Sequence, residues 1–273
     1  MVGTLLSSPP NPWVEPSPPP EPFPSAPVPI AENPSWTGWD VLRIAFATMG
    51  SIVAFLLLVA YMAHRLLYPA LPLAEVSKYP LVTVIAQFLA YLVVFAYMIS
   101  LVDRKPGASF WHAIRWNWPR NWPAYVMGGV VLAFGLQAFA HFLPMPKELP
   151  IDRFFQTPAE AWILSLFGAT FAPLIEELFF RGFLYPVLAR RLGLFVGVVL
   201  TAAGFGLIHS PQLGRAWAPV LVVFLVGLAL TITRAVTNSV AAGVIMHMTY
   251  NTTLSILIFA ATGEFRHFEK LTQ

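Results

Sequence analysis

The stretch FAPLIEELFFRG, residues 171–182, sets two adjacent carboxylates, Glu176 and Glu177, in a run otherwise suited to lipid, and Arg181 follows the second by four positions. An ionisable side chain at mid-bilayer costs roughly 2.5–3.5 kcal/mol on insertion scales. Charges kept in such a place need partners or a task. Glu177 and Arg181 are spaced i, i+4 with the acid nearer the N-terminus, the favourable order for a helical ion pair. Glu176 lies about 100° further round a helix and cannot share that geometry. It must point at something else. An acid without a salt bridge in apolar surroundings holds its proton more readily, which suits a general base.

The rest of the chain explains why lipid is the relevant solvent. Of its 273 residues 57% are hydrophobic and 11% charged, with mean hydropathy +0.68. A soluble domain carries nearer a quarter charged residues, so the composition is that of a membrane protein. The net charge is +3, and no basic stripe with interleaved aromatics is present, which argues against a nucleic-acid partner. Cysteine is absent, which removes disulfides, iron–sulfur clusters, thiolate nucleophiles and cysteine-type zinc sites together.

Hydropathy divides the chain into a proline-rich tail over 1–38, a membrane helical domain over 39–265 and a short polar tail over 266–273. The first tail is too rich in proline for a helix or a central strand and reads as disordered. Apolar segments near the ~20 residues that span a bilayer follow at 41–67, 81–102, 124–143, from 159 onward, 194–208, 218–232 and 240–261. The fifth is short for a full span. In lipid these segments must be helices, because each backbone amide needs an internal partner. The expected fold is therefore all-α and polytopic, with seven transmembrane helices, or eight if 182–192 forms its own element. A straight helix over 159–192 would be about 50 Å long, too long for a ~30 Å hydrocarbon core, so a break is expected near Gly182 to Pro186. The stretch FWHAIRWNWPRNWPAY, 110–125, reads as an interfacial aromatic belt. Gly193 and Gly197 form a small-xxx-small pair that would let two helices approach closely.

Two later segments offer partners to Glu176. FGLIHS, 205–210, puts His209 at the end of the fifth span with Phe205 one turn before it. HMTYN, 247–251, puts His247 and Asn251 at i, i+4 on one face of the seventh. Each alone has a bland explanation: a satisfied core histidine, or a structural ion-pair knot at Glu177 and Arg181. Together they place titratable groups on three spans at depths that permit a shared site.

These residues, in this order, match E-E-x-x-x-R, F-x-x-x-H and H-x-x-x-N. The pattern resembles the CPBP (Abi) family of intramembrane proteases, which includes the Ras-converting CAAX prenyl endopeptidases and bacterial relatives linked to bacteriocin immunity. The likeness covers roughly 155–262; the first three spans fit by hydropathy alone. It implies hydrolysis of a peptide bond within the membrane, on a peptide or protein substrate that enters from the bilayer and could be prenylated. By motif position Glu176 would activate water, His209 would help hold it, Glu177 and Arg181 would orient that carboxylate, and His247 and Asn251 would stabilise the oxyanion. Glu176, His209 and His247 could also hold zinc with water as the fourth ligand, which would make the enzyme a metalloprotease. No organic cofactor is implied. The relatives' usual habitat points to a bacterial inner membrane.

Other chemistries fit less well. There is no H-E-x-x-H, no cysteine nucleophile and no G-x-S-x-G elbow. Two competing functions use the same residues differently. A non-catalytic membrane scaffold would use the polar cluster only to position helices. A proton-coupled transporter would use it as a relay, although no internal repeat relates the two halves of the chain.

Overall fold

A computed structural model describes residues 32–103, 109–155 and 157–266. Most of the proline-rich tail and nearly all of the polar C-terminal tail lie outside the described residues. Within them the chain is helical, with no strand. Helices α1 (Gly38–Leu66), α3 (Pro80–Asp103), α5 (Trp122–Ala140), α10 (Trp217–Thr237) and α11 (Val240–Ala261) are each long and apolar enough to cross a bilayer, as is the composite helix over Pro158–Leu192. The short helices α2 (Leu73–Val76) and α4 (Phe110–Ala113) lie between them. Helix α9 (Leu194–His209) is apolar but too short by this measure. The chain is thus an all-α, polytopic membrane protein, and α9 is the short fifth segment that hydropathy set apart.

The composite helix is not broken at Gly182 to Pro186. It consists of α6 (Pro158–Ala169), α7 (Phe171–Glu177), a π-helical turn (Leu178–Leu184) and α8 (Tyr185–Leu192). The interruption falls at Thr170, whose φ of −123° and ψ of −71° leave the helical region. Pro173 explains it: in an unbroken helix its ring would meet the carbonyl of Ala169 and its missing N–H would leave that carbonyl unbonded. Near Pro186 the chain instead widens, with Tyr185 N–H bonded to the Phe180 carbonyl five residues back. A wider turn absorbs a proline without ending the helix.

Helix α1 packs on α3, α9 on α10, and α5 on α11, while α11 also touches α6, α7 and α10 and so runs past the carboxylates. Gly197 serves the close approach predicted for it, since a Cβ there would lie 2.8 Å from the backbone of Ala189. Gly193 does not; with φ +86° it makes the turn between α8 and α9. Gly129 has the same role as Gly197 between α5 and α11, where a Cβ would lie 2.7 Å from Thr249 Cβ.

Phe46, Leu57, Leu166, Phe195 and Ile256 are exposed, as helices facing acyl chains require. Trp111, Trp118 and Trp122 are also exposed, as expected of the aromatic belt. Pro34 and Trp36 are buried while Asn33, Ser35 and Thr37 are exposed, so the chain is anchored to the helices before position 39. Trp36 is 2% exposed, packs tilted against the Phe183 ring at 4.6 Å and donates its indole N–H to the Phe183 carbonyl at 2.9 Å. Glu32 pairs with the buried Arg234 at 2.7 Å.

Candidate active site

The carboxylate pair sits at the C-terminal end of α7, where the π-helical turn begins. Glu177 and Arg181 are both fully buried, and Arg181 Nη1 lies 2.7 Å from Glu177 Oε1. The i, i+4 pairing read from sequence therefore holds across the π turn. The guanidinium is satisfied further by helix α10: Nη2 donates to the Gly227 carbonyl at 2.9 Å and Nε to Thr231 Oγ1 at 3.3 Å. Its central carbon also sits 4.7 Å from the centroid of the Phe205 ring. With Nη1 on Glu177 and both Nη2 and Nε on α10, Arg181 is a pin between the carboxylate helix and α10.

Glu177 Oε1 accepts a second hydrogen bond, from His247 Nδ1 at 3.0 Å. An ionised carboxylate only accepts, so Nδ1 carries the proton and Nε2 is turned away from Glu177. Among the described residues Oε2 of Glu177 has no hydrogen-bond partner. It lies against α11, where a Cβ on Gly243 would come within 2.6 Å of it.

Glu176 points the other way, as its position on the helix required. Its Oε1 lies 3.9 Å from His209 Nε2 and its Oε2 3.9 Å from His247 Nε2. His209 Nδ1 lies 2.7 Å from the Phe205 carbonyl, one turn back in α9, so it too is the protonated nitrogen. When the rings are neutral, both Nε2 lone pairs face Glu176. A separation of 3.9 Å is too long for a direct hydrogen bond and is one that a water molecule bridges. Phe205 packs on both rings, 4.6 Å from His209 and 5.6 Å from His247 between centroids, and sets their planes.

Glu176, His209, His247 and Asn251 all line one cavity of about 380 Å³. Asn251 Nδ2 donates to the Gly168 carbonyl at 2.7 Å. That carbonyl belongs to the last turn of α6, so Asn251 caps a helix end and retains one further N–H.

Three groups therefore face one space, with the far nitrogen of each histidine tied down. Tetrahedral zinc, with bonds of about 2.0–2.1 Å, holds neighbouring ligand atoms roughly 3.3–3.4 Å apart. The 3.9 Å separations are wider, and among the described residues no set of three histidine or carboxylate side chains is gathered closely enough for a metal ion.

The motifs did not disclose the supporting groups. Gly227 and Thr231 hold Arg181, and Gly243 makes room for Glu177. Gly243 stands at i−4 from His247 in VAAGVIMH, on the same face, and is the one of these that a face-by-face reading of the sequence would have reached.

No match to a curated protein or to a solved structure was found. One family model does match, described as Type II CAAX prenyl endopeptidase Rce1-like, over residues 158–253. Those residues span all three motifs and every side chain placed around the cavity above. The matched segment is thus similar to the same family of CAAX proteases that the three motifs resemble.

Proposed function

We propose that the chain is an intramembrane endopeptidase in which Glu176 activates the attacking water. The observation that carries this reading is the meeting of Glu176, His209 and His247 from three helices at separations fit for one bridging water. Water accepted between the carboxylate and His209 Nε2 gives its proton to Glu176 as its oxygen bonds to the scissile carbonyl carbon. The carbonyl electrons move onto oxygen, and the oxyanion is held by His247 Nε2–H and the free N–H of Asn251. The C–N bond then breaks, and Glu176 returns the proton to the departing nitrogen. One water has been added across the bond and the carboxylate is restored.

For His247 to donate from Nε2 while Nδ1 donates to Glu177, the ring must be an imidazolium.

The description of the matched family supports a prenylated C-terminal CAAX-type sequence as the substrate. A second cavity of about 300 Å³ supports it, walled beside Glu176 by Met49, Ile52, Met98, Ile175, Phe179 and Ile208. Its apolar walls suit a prenyl chain. The test is a panel of farnesylated and unprenylated CAAX peptides offered in proteoliposomes to wild type and Glu176→Gln, with and without chelator. Cleavage of the farnesylated peptide by wild type alone, unaffected by chelator, is expected. Full turnover by Glu176→Gln would overturn the reading, and equal complementation by the inactive variant in cells would favour a scaffold.

A further inference from the structure

Glu176 stands between the two cavities, and four side chains line both: Gln87, Glu176, His209 and Gln212. Two of these belong to the chemistry already described. The other two are carboxamides, from segments that carry no motif. Gln87 is on α3, and Gln212 lies in the turn that follows α9, three residues after His209.

A carboxamide in apolar surroundings is costly unless it is bonded, so the half-buried Gln87 calls for a reason; Gln212 is exposed. Gln87 Nε2 donates to Tyr91 Oη at 2.7 Å, one turn along the same helix. That bond fixes the plane of the amide and leaves it a second N–H and an acceptor oxygen. Gln212 is fixed through its backbone: its carbonyl accepts from Ile151 N–H at 3.1 Å, and the N–H of Leu213 bonds back to the His209 carbonyl at 3.3 Å. The Gln87 amide and the Gln212 backbone are thus placed by neighbours, and both side chains present neutral donor–acceptor pairs at the boundary of the two cavities.

A peptide whose scissile bond lies at Glu176 must send one arm into each cavity. Its flanking peptide groups leave water for walls that are mostly apolar and lose hydrogen bonds unless the protein replaces them. A carboxamide offers the same donor and acceptor as a peptide unit and adds no charge next to the catalytic carboxylate. We infer that Gln87 and Gln212 bind the substrate backbone on either side of the scissile bond, holding it extended across Glu176. The inference rests on the endopeptidase reading. It makes recognition next to the cut independent of the substrate's side chains.

The test uses Gln87→Met and Gln212→Met, which keep side-chain length and lose the amide. Binding of a fluorescent farnesylated CAAX peptide is measured by anisotropy in nanodiscs, in a Glu176→Gln background, and cleavage in the otherwise wild-type protein. Each substitution is expected to raise Kd and KM about tenfold, the worth of one hydrogen bond of ordinary strength, with kcat nearly unchanged. A peptide carrying an ester in place of a flanking amide should bind wild type more weakly by a similar factor and lose little more in the matching variant. Unchanged Kd and KM would overturn the inference, as would a loss that is the same for amide and ester peptides and tracks thermal stability. A parent protein that binds no peptide would overturn it too. Failure of the endopeptidase reading looks different: peptide binding that still depends on the two glutamines, with no cleavage dependent on Glu176.

Discussion

His247 is tied at Nδ1 to Glu177 Oε1, 3.0 Å away, and that bond turns its other nitrogen toward Glu176. The second carboxylate of the EE pair thus acts on the first through a histidine from a different helix. Arg181, bonded to the same Glu177 oxygen at 2.7 Å, supplies the counter-charge that lets the arrangement be buried.

Arg181→Met should therefore destabilise the protein by about 3–5 kcal/mol, because Glu177 would be left buried without its cation. The double variant Glu177→Leu/Arg181→Met should recover much of that loss but no activity, since His247 would have lost the group that orients it. Denaturant unfolding in detergent micelles, run beside a peptide-cleavage assay, checks both. A double variant no more stable than the single one would contradict the pairing.

Gly243→Ala is expected to cost about 1–3 kcal/mol of stability and most of the activity, because its methyl would fall 2.6 Å from Glu177 Oε2. Gly135→Ala, where a Cβ meets nothing within 4 Å, serves as the control on an equally apolar helix. Equal behaviour of the two variants would count against this close approach.

Trp36→Ala should cost about 3–5 kcal/mol, the usual toll for a large core aromatic, although residue 36 falls in the part of the chain that reads as tail. Arg234→Met should cost a similar amount by stranding Glu32, which is 6% exposed in the pair. Thermal unfolding of the two variants measures these effects. Wild-type stability in both would show that residues 32–37 do not dock.

Asn251→Ala separates two roles of one side chain. Loss of the α6 cap should cost about 1 kcal/mol. Loss of an oxyanion donor should lower kcat by about 10²–10³ with little change in KM. A fall in stability without a fall in kcat would leave Asn251 as a cap alone.

Much of this site was legible in the sequence because its groups repeat at helical spacing. Glu177 and Arg181, Phe205 and His209, and His247 and Asn251 are each i, i+4 pairs, and such pairs share a face whatever the tertiary fold. What the sequence hid depends on contacts between helices. Gly227 and Thr231 look like ordinary small residues of an apolar span until Arg181 is seen against them. Gln87 and Gln212 are remote in sequence, and only the cavities bring them together. Glu32 gains meaning only from Arg234, two hundred and two positions later. The break at Thr170 is a different case. Its cause, Pro173, is visible in residues 171–182, while the length of the apolar run points to Gly182 and Pro186 instead.

The central claim is that Glu176 takes the proton from the attacking water. It is tested most directly by kcat for a farnesylated CAAX peptide in Glu176→Gln, measured with protein whose unfolding midpoint matches wild type. Glu176 makes no ion pair shorter than 3.9 Å among the described residues, so the substitution is expected to leave the fold intact. A fall in kcat of about 10²–10⁴ at unchanged stability is expected. Wild-type kcat in the folded variant would contradict it.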